Sequence, residues 1–126
     1  MALFEPFPTD RRGEVPEGMR PWFDITVFNR HAGRLSCIYV RQYIESAQKN
    51  FPDARRLTKD QYAAMDLVDA LCNDPDIHLS MDFRPGDIQL LHNHQILHSR
   101  GDFENWPQPE RHRHLLRLWL APPEGR

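Results

Sequence analysis

Residues 83–122 read FRPGDIQLLHNHQILHSRGDFENWPQPERHRHLLRLWLAP, and this stretch decides the fold. It places a Pro-Gly turn, three histidines (His92, His94, His98) and three arginines (Arg111, Arg113, Arg117) between segments of strand-like composition. Titratable side chains gathered this tightly mark where the chemistry of the chain belongs, and the remainder reads as scaffold. Just before it, Ile77 to Phe83 alternates Leu79, Met81 and Phe83 against His78, Ser80 and Asp82, the pattern of a half-buried strand with His78 on the surface. Arg84-Pro85-Gly86-Asp87 then supplies a turn, with Pro and Gly each in a role its backbone suits. Ile88 to Leu91 predicts the next strand; Asn93 and its neighbours break it, and Ile96 to His98 resume it. Arg113 to Ala121 predicts a long closing strand.

Working toward the N-terminus, the pattern turns helical. Thr58 with Gln61 three residues on makes a capping box, and Ala64, Leu67, Val68 and Leu71 follow at i, i+3, i+4 and i+7. This helix is predicted to end near Asn73, before Pro75, with Asp60, Asp66 and Asp69 as solvated charges. A second helix is predicted from about Arg41 to Gln48. Trp22 to Phe28 has strand composition, and Asn29 to Gly33 carries turn chemistry. Residues 1–22 hold Pro6, Pro8, Pro16, Pro21, Gly13 and Gly18, a density that breaks regular periodicity and predicts an irregular, extended arm. The organisation is one domain: an arm over 1–22, a strand with a helical insert over 23–75, and site-bearing strands over 76–122. The fold class is mainly β with a helical insert.

A chain of 126 residues can bury one core of ordinary size. The net charge of -2, with both signs interspersed, lacks the basic face that nucleic-acid binding requires. No apolar run approaches the ~18 residues of a membrane span, and Glu5, Pro6 and Pro8 interrupt any signal-peptide core. The chain therefore reads as soluble, and Cys37 and Cys72, with no paired spacing, read as reduced thiols, which favours the cytoplasm.

The histidines allow two readings. His92, His94 and His98 fall at i, i+2 and i+6, so one uninterrupted strand would point all three to one face, where they could converge on a metal. That spacing resembles the first cupin motif, with Gly86 six positions before an HxH pair. In this sequence His98 stands where the cupin glutamate belongs, and no second cupin motif follows. Alternatively, Asn93 and His94 form a turn that separates the three and leaves His98 aimed at a site.

Taken together, PGDIQLLHNHQILHSR, Phe103-Glu104 and RHLLRLWL resemble the C-terminal end of the TauD/TfdA-like family of Fe(II)- and 2-oxoglutarate-dependent dioxygenases. The resemblance covers Leu79 to Pro122 well and the preceding segment loosely. It implies a double-stranded β-helix, a jelly-roll relative, of which this chain would form the C-terminal part. It implies that His98 is the distal iron ligand and that Arg113 grips the far carboxylate of 2-oxoglutarate as a planar fork. Arg117 takes the place of a second arginine that meets an anionic substrate in some members, or else forms a buried ion pair. Arg111 is the fallback for the co-substrate role, because the loop before it varies in length.

The resemblance also implies a 2-His-1-carboxylate triad whose other two ligands form a His-x-Asp/Glu motif well upstream of the distal histidine. None of the seven histidines begins one. The resemblance therefore implies the C-terminal portion of a longer enzyme that oxidises a small organic substrate, inactive alone and open to self-association through unpaired sheet edges. Two other readings stand beside it: a catalytically silent fragment acting through association, and a small cupin-like metal-binding module using His92, His94 and His98.

Overall fold

The computed structural model describes residues 1–120. The N-terminal segment is more regular than its prolines suggest: after a 3₁₀ turn at Ala2–Phe4, strand β1 (Pro6–Asp10) pairs antiparallel with β2 (Trp22–Thr26). Pro6 and Pro8 have the same parity, so the N–H groups they lack fall on the side of β1 that faces away from β2, where a strand tolerates proline. The Arg11 N–H, on the opposite parity, continues the ladder to the Pro21 carbonyl at 2.9 Å. The expectation of an irregular arm is thus corrected over residues 6–10, and the irregular part is the connection over 11–21.

Strand β3 (Phe28–His31) and β4 (Arg34–Cys37) form a second hairpin. Its loop is two residues, Ala32 and Gly33, both at positive φ (47° and 76°). This is the geometry whose twist matches the flanking strands, so Asn29 to His31 lie in the strand and the turn is shorter than predicted.

Helix α1 spans Arg41–Asn50 and helix α2 spans Lys59–Cys72, close to their predicted bounds. The capping box at α2 is complete: Thr58 accepts from the Gln61 N–H, and the Gln61 side chain accepts from the Thr58 N–H. The inward face of α2 differs from the predicted stripe. Gln61, Met65 and Val68 are buried, whereas Leu67 is 60% exposed and Leu71 44%. Gln61 explains the rotation, because its Nε2 also donates to the Pro6 carbonyl and draws that face of the helix onto β1. Arg55 donates to the same carbonyl.

Phe7, Val27, Ile44 and Met65 form the core, with Leu3, Phe28, Tyr39 and Leu57 packed around it. Each of the four contributes about 1.5–3 kcal/mol by leaving water. Outside this core, Arg41 clamps α1 to α2, donating to Glu45 within its own helix and to Asp66 and Asp69 across the gap, each at 2.7 Å. Those two aspartates are therefore interhelical partners and not simply solvated charges. The Glu45, Asp66 and Asp69 carboxylates hold Arg41 still more firmly protonated than usual. Burial, and then the hydrogen bond to Asp69, push the Tyr39 hydroxyl well above its ordinary range. Among the described residues, no helix is long and apolar enough to cross a membrane.

The largest departure from expectation lies beyond α2. Ile77–Phe83, Ile88–Leu91, Ile96–His98 and 113–120 form no strands; Ala121 and Pro122, at the end of the predicted segments, lie outside the described residues. Alternation marks a strand that has a sheet to join, and no neighbour pairs with these segments among the described residues. Their apolar side chains accordingly face water: Leu79 is 91% exposed, Ile88 87% and Leu116 88%. The turn at Arg84–Asp87 does form, with Gly86 at φ 97° and the Asp87 N–H donating to the Arg84 carbonyl at 3.0 Å.

Candidate functional site

Local hydrogen bonding interrupts the histidine run. The Gln95 and Ile96 N–H groups both donate to the His92 carbonyl, at 2.9 and 3.2 Å, and close a turn over Asn93, His94 and Gln95. A turn between His92 and His98 breaks the period of two, so the common face required by the cupin-like arrangement does not exist. The rings of His92 and His94 meet edge-on with centroids 6.4 Å apart. His98 lies beyond the turn with its side chain exposed.

One backbone contact docks this turn onto the body of the protein. The Cys37 N–H, at the end of β4, donates to the His94 carbonyl at 2.7 Å. A cavity of about 300 Å³ opens beside that contact, between Phe28, Leu35 and Cys37 on the hairpin and His94, Gln95 and Leu97 on the turn. Burial raises the Cys37 thiol above its ordinary value, and the nearby Cys72 thiol adds to the effect, so Cys37 acts as a small apolar core residue rather than a nucleophile.

The arginines occupy different surroundings. Arg113 lines a second, open cavity of about 300 Å³ with Arg100, Phe103, His114 and Leu115. Its backbone N–H donates to the Asn105 side-chain oxygen at 3.3 Å, and its guanidinium carbon lies 5.3 Å from the centroid of Phe103. Arg117 does not line that cavity. Its predicted placement beside Arg113 on one strand face is corrected, because residues 113–120 are not paired as a strand. Arg111, in the short 3₁₀ turn Pro109–Arg111, stacks on Trp106 with its guanidinium carbon 3.5 Å from the ring centroid. That face contact engages the guanidinium with an aromatic surface.

Among the described residues, no three His, Cys, Asp or Glu side chains group closely enough to hold a metal ion. The donor set of the described residues therefore does not by itself fit an iron centre. The structure also brings forward Arg100, the last residue of PGDIQLLHNHQILHSR, as part of the cavity that Arg113 lines. Its position two residues after His98 was the available signal.

The sequence matches the family "Taurine catabolism dioxygenase TauD, TfdA family" over residues 4–119. It is also 36% identical over 124 residues to FR-33289 synthase of Streptomyces rubellomurinus (strain ATCC 31215), an alignment covering 93% of this chain and 35% of that protein. The chain thus spans about a third of the length of the curated relative it matches.

Proposed function

Because the chain belongs to the TauD/TfdA family of dioxygenases, we propose that it is the C-terminal portion of an Fe(II)- and 2-oxoglutarate-dependent enzyme that hydroxylates or otherwise oxidises a small organic substrate. The family match over residues 4–119 carries this reading, since it takes in both the helical body and the whole His98–Arg113 region. In it, His98 is the distal iron ligand and Arg113 holds the far carboxylate of 2-oxoglutarate. The bound metal supplies oxygen activation coupled to decarboxylation of the co-substrate.

This chain's share of the work is positioning. Arg113 offers a planar fork that matches a carboxylate in two hydrogen bonds, and the exposed apolar segments after α2 are the strands of a jelly roll that await their sheet. The other two iron ligands come from polypeptide beyond this chain. Its unpaired cysteines support a reducing, cytoplasmic setting.

The test has two arms. The 126-residue chain alone, given Fe(II), ascorbate and 2-oxoglutarate, is expected to release no succinate above the metal-only background. Co-expressed with the upstream two-thirds of a family member, it should release succinate, and Arg113→Ala should raise the 2-oxoglutarate requirement at least ~10-fold through loss of charge-assisted bonds. Succinate from the chain alone, abolished by His98→Ala, would show that a complete site forms within it or across a dimer. An unchanged 2-oxoglutarate requirement in Arg113→Ala would move the role to Arg111 or Arg117.

A further inference from the structure

Among the described residues, the outer edge of β4 carries one backbone hydrogen bond and has room for more. Just past the hairpin's open end, the Ile38 N–H donates to the Val27 carbonyl at 2.9 Å, so the backbone groups of that pair point inward. Inward and outward groups alternate along an antiparallel ladder. In the register Phe28↔Cys37, Asn29↔Ser36 and Arg30↔Leu35, the groups of Ser36 therefore point toward β3 and those of Cys37 and Leu35 point away from it. The outward Cys37 N–H is the one that donates to the His94 carbonyl at 2.7 Å. The next outward donor, the Leu35 N–H, has no backbone partner among the described residues.

Beyond His94 the chain runs back along this edge. Leu35, Ser36 and Cys37 line one side of the cavity of about 300 Å³, and His94, Gln95 and Leu97 line the other. Leu97 shares that cavity with Leu35, whereas a parallel course would carry it past the end of β4, so the two segments are antiparallel. Starting from Cys37↔His94, this direction sets Ser36 against Gln95 and Leu35 against Ile96. Leu35 and Ile96 then fall on one face, and both are exposed in the open arrangement. Drawing the segments in to the about 4.8 Å that separates paired strands would close the cavity, cover these two side chains with each other and add reciprocal Leu35–Ile96 bonds. Little is given up. The Ile96 N–H leaves the His92 carbonyl, where it makes the longer of two bonds to one oxygen, 3.2 against 2.9 Å.

We propose that His94 to His98 is a strap that zips antiparallel onto the outer edge of β4, turning the β3–β4 hairpin into a three-stranded sheet. In this register His98 is held opposite Gly33, at the turn of the hairpin. The pairing stands on backbone geometry alone. Its consequence, that β4 sets where His98 sits, rests on the reading of His98 as an iron ligand.

The experiment uses the 126-residue chain labelled with ¹³C and ¹⁵N, studied by NMR at two dilute concentrations. Residues facing each other in a non-hydrogen-bonded antiparallel pair bring their Hα atoms together, so the strap is expected to give a nuclear Overhauser contact between Ser36 Hα and Gln95 Hα. The Leu35 amide is expected to exchange at least ~10-fold more slowly than an unpaired amide. Ile96→Pro alters the strap outside the core and should abolish both signals while the inward Ser36 amide keeps its protection. Leu35→Pro, which removes the outward donor and no inward one, should do the same with the far-UV circular dichroism of the helices unchanged. A Leu35 amide that exchanges as a free one, no contact between Ser36 and Gln95, or Leu35 protection that grows with concentration, as a second copy on the edge would give, would each overturn the strap.

The two proposals fail separately. A closed strap without succinate release from the co-expressed enzyme would sink the dioxygenase reading and leave the strap standing. Succinate release with a freely exchanging Leu35 amide would do the reverse.

Discussion

Replacing Met65 by alanine should expose which face of α2 holds the body together. Met65 is fully buried against Phe7, Val27 and Ile44, so truncation leaves a cavity where everything beyond its Cβ had been. Buried Met→Ala changes cost roughly 2–5 kcal/mol, a large fraction of the about 5–15 kcal/mol that holds a domain folded. With a urea slope of about 1–3 kcal/mol/M, the midpoint should fall by about 1–2 M. Leu67→Ala, two residues along the same helix at a position 60% exposed, should stay within about 0.5 kcal/mol. Urea titrations followed by circular dichroism at 222 nm compare the two variants directly. Equal losses, or a larger loss at Leu67, would refute the packing and restore the stripe of Ala64, Leu67, Val68 and Leu71.

Three further outcomes are expected. Thr58→Ala removes the acceptor for the Gln61 N–H and breaks the capping box, at about 1 kcal/mol by the same urea titration; no loss would mean that the Gln61 bond to Pro6 holds the helix start unaided. The Ser46 hydroxyl and the Arg12 N–H hold Asp10 below its ordinary pKa of 3.8. A carboxyl depressed on folding adds stability above its unfolded pKa and loses it as pH falls through the folded one. The urea midpoint should therefore drop on acidification below about pH 4, less steeply in Asp10→Asn, and identical slopes would remove Asp10 from the account. Finally, Leu116, Leu118 and Trp119 are 88%, 85% and 73% exposed. The isolated chain should therefore self-associate with rising concentration in sedimentation velocity, and Leu116→Ser with Leu118→Ser should shift it toward monomer; a monomer at all concentrations would count against these segments as sheet-forming surface.

Much of the helical body was legible because its signals are local. The Thr58/Gln61 capping box fixes where α2 begins, Gly86 after Pro85 fixes a turn, and Asn93 breaks the histidine run, each through contacts spanning only a few residues. The family resemblance was legible for a different reason, since it rests on the order of short motifs from Pro85 to Leu120 and not on their packing. Residues 6–10 were misread because proline density argues against a strand unless the missing N–H groups all fall on one side, which depends on β2 more than ten residues away. The buried face of α2 likewise depended on a remote group, the Pro6 carbonyl that draws Gln61 inward. In the C-terminal third, alternation was read correctly as a pattern but not as structure. A strand is completed by its neighbour, and none pairs with these segments among the described residues. Sequence alone thus determined the residue types and their order in the site region. Tertiary structure decided which arginines share a cavity, because the meeting of Arg100 and Arg113 at Phe103 is set by how the chain between them folds back.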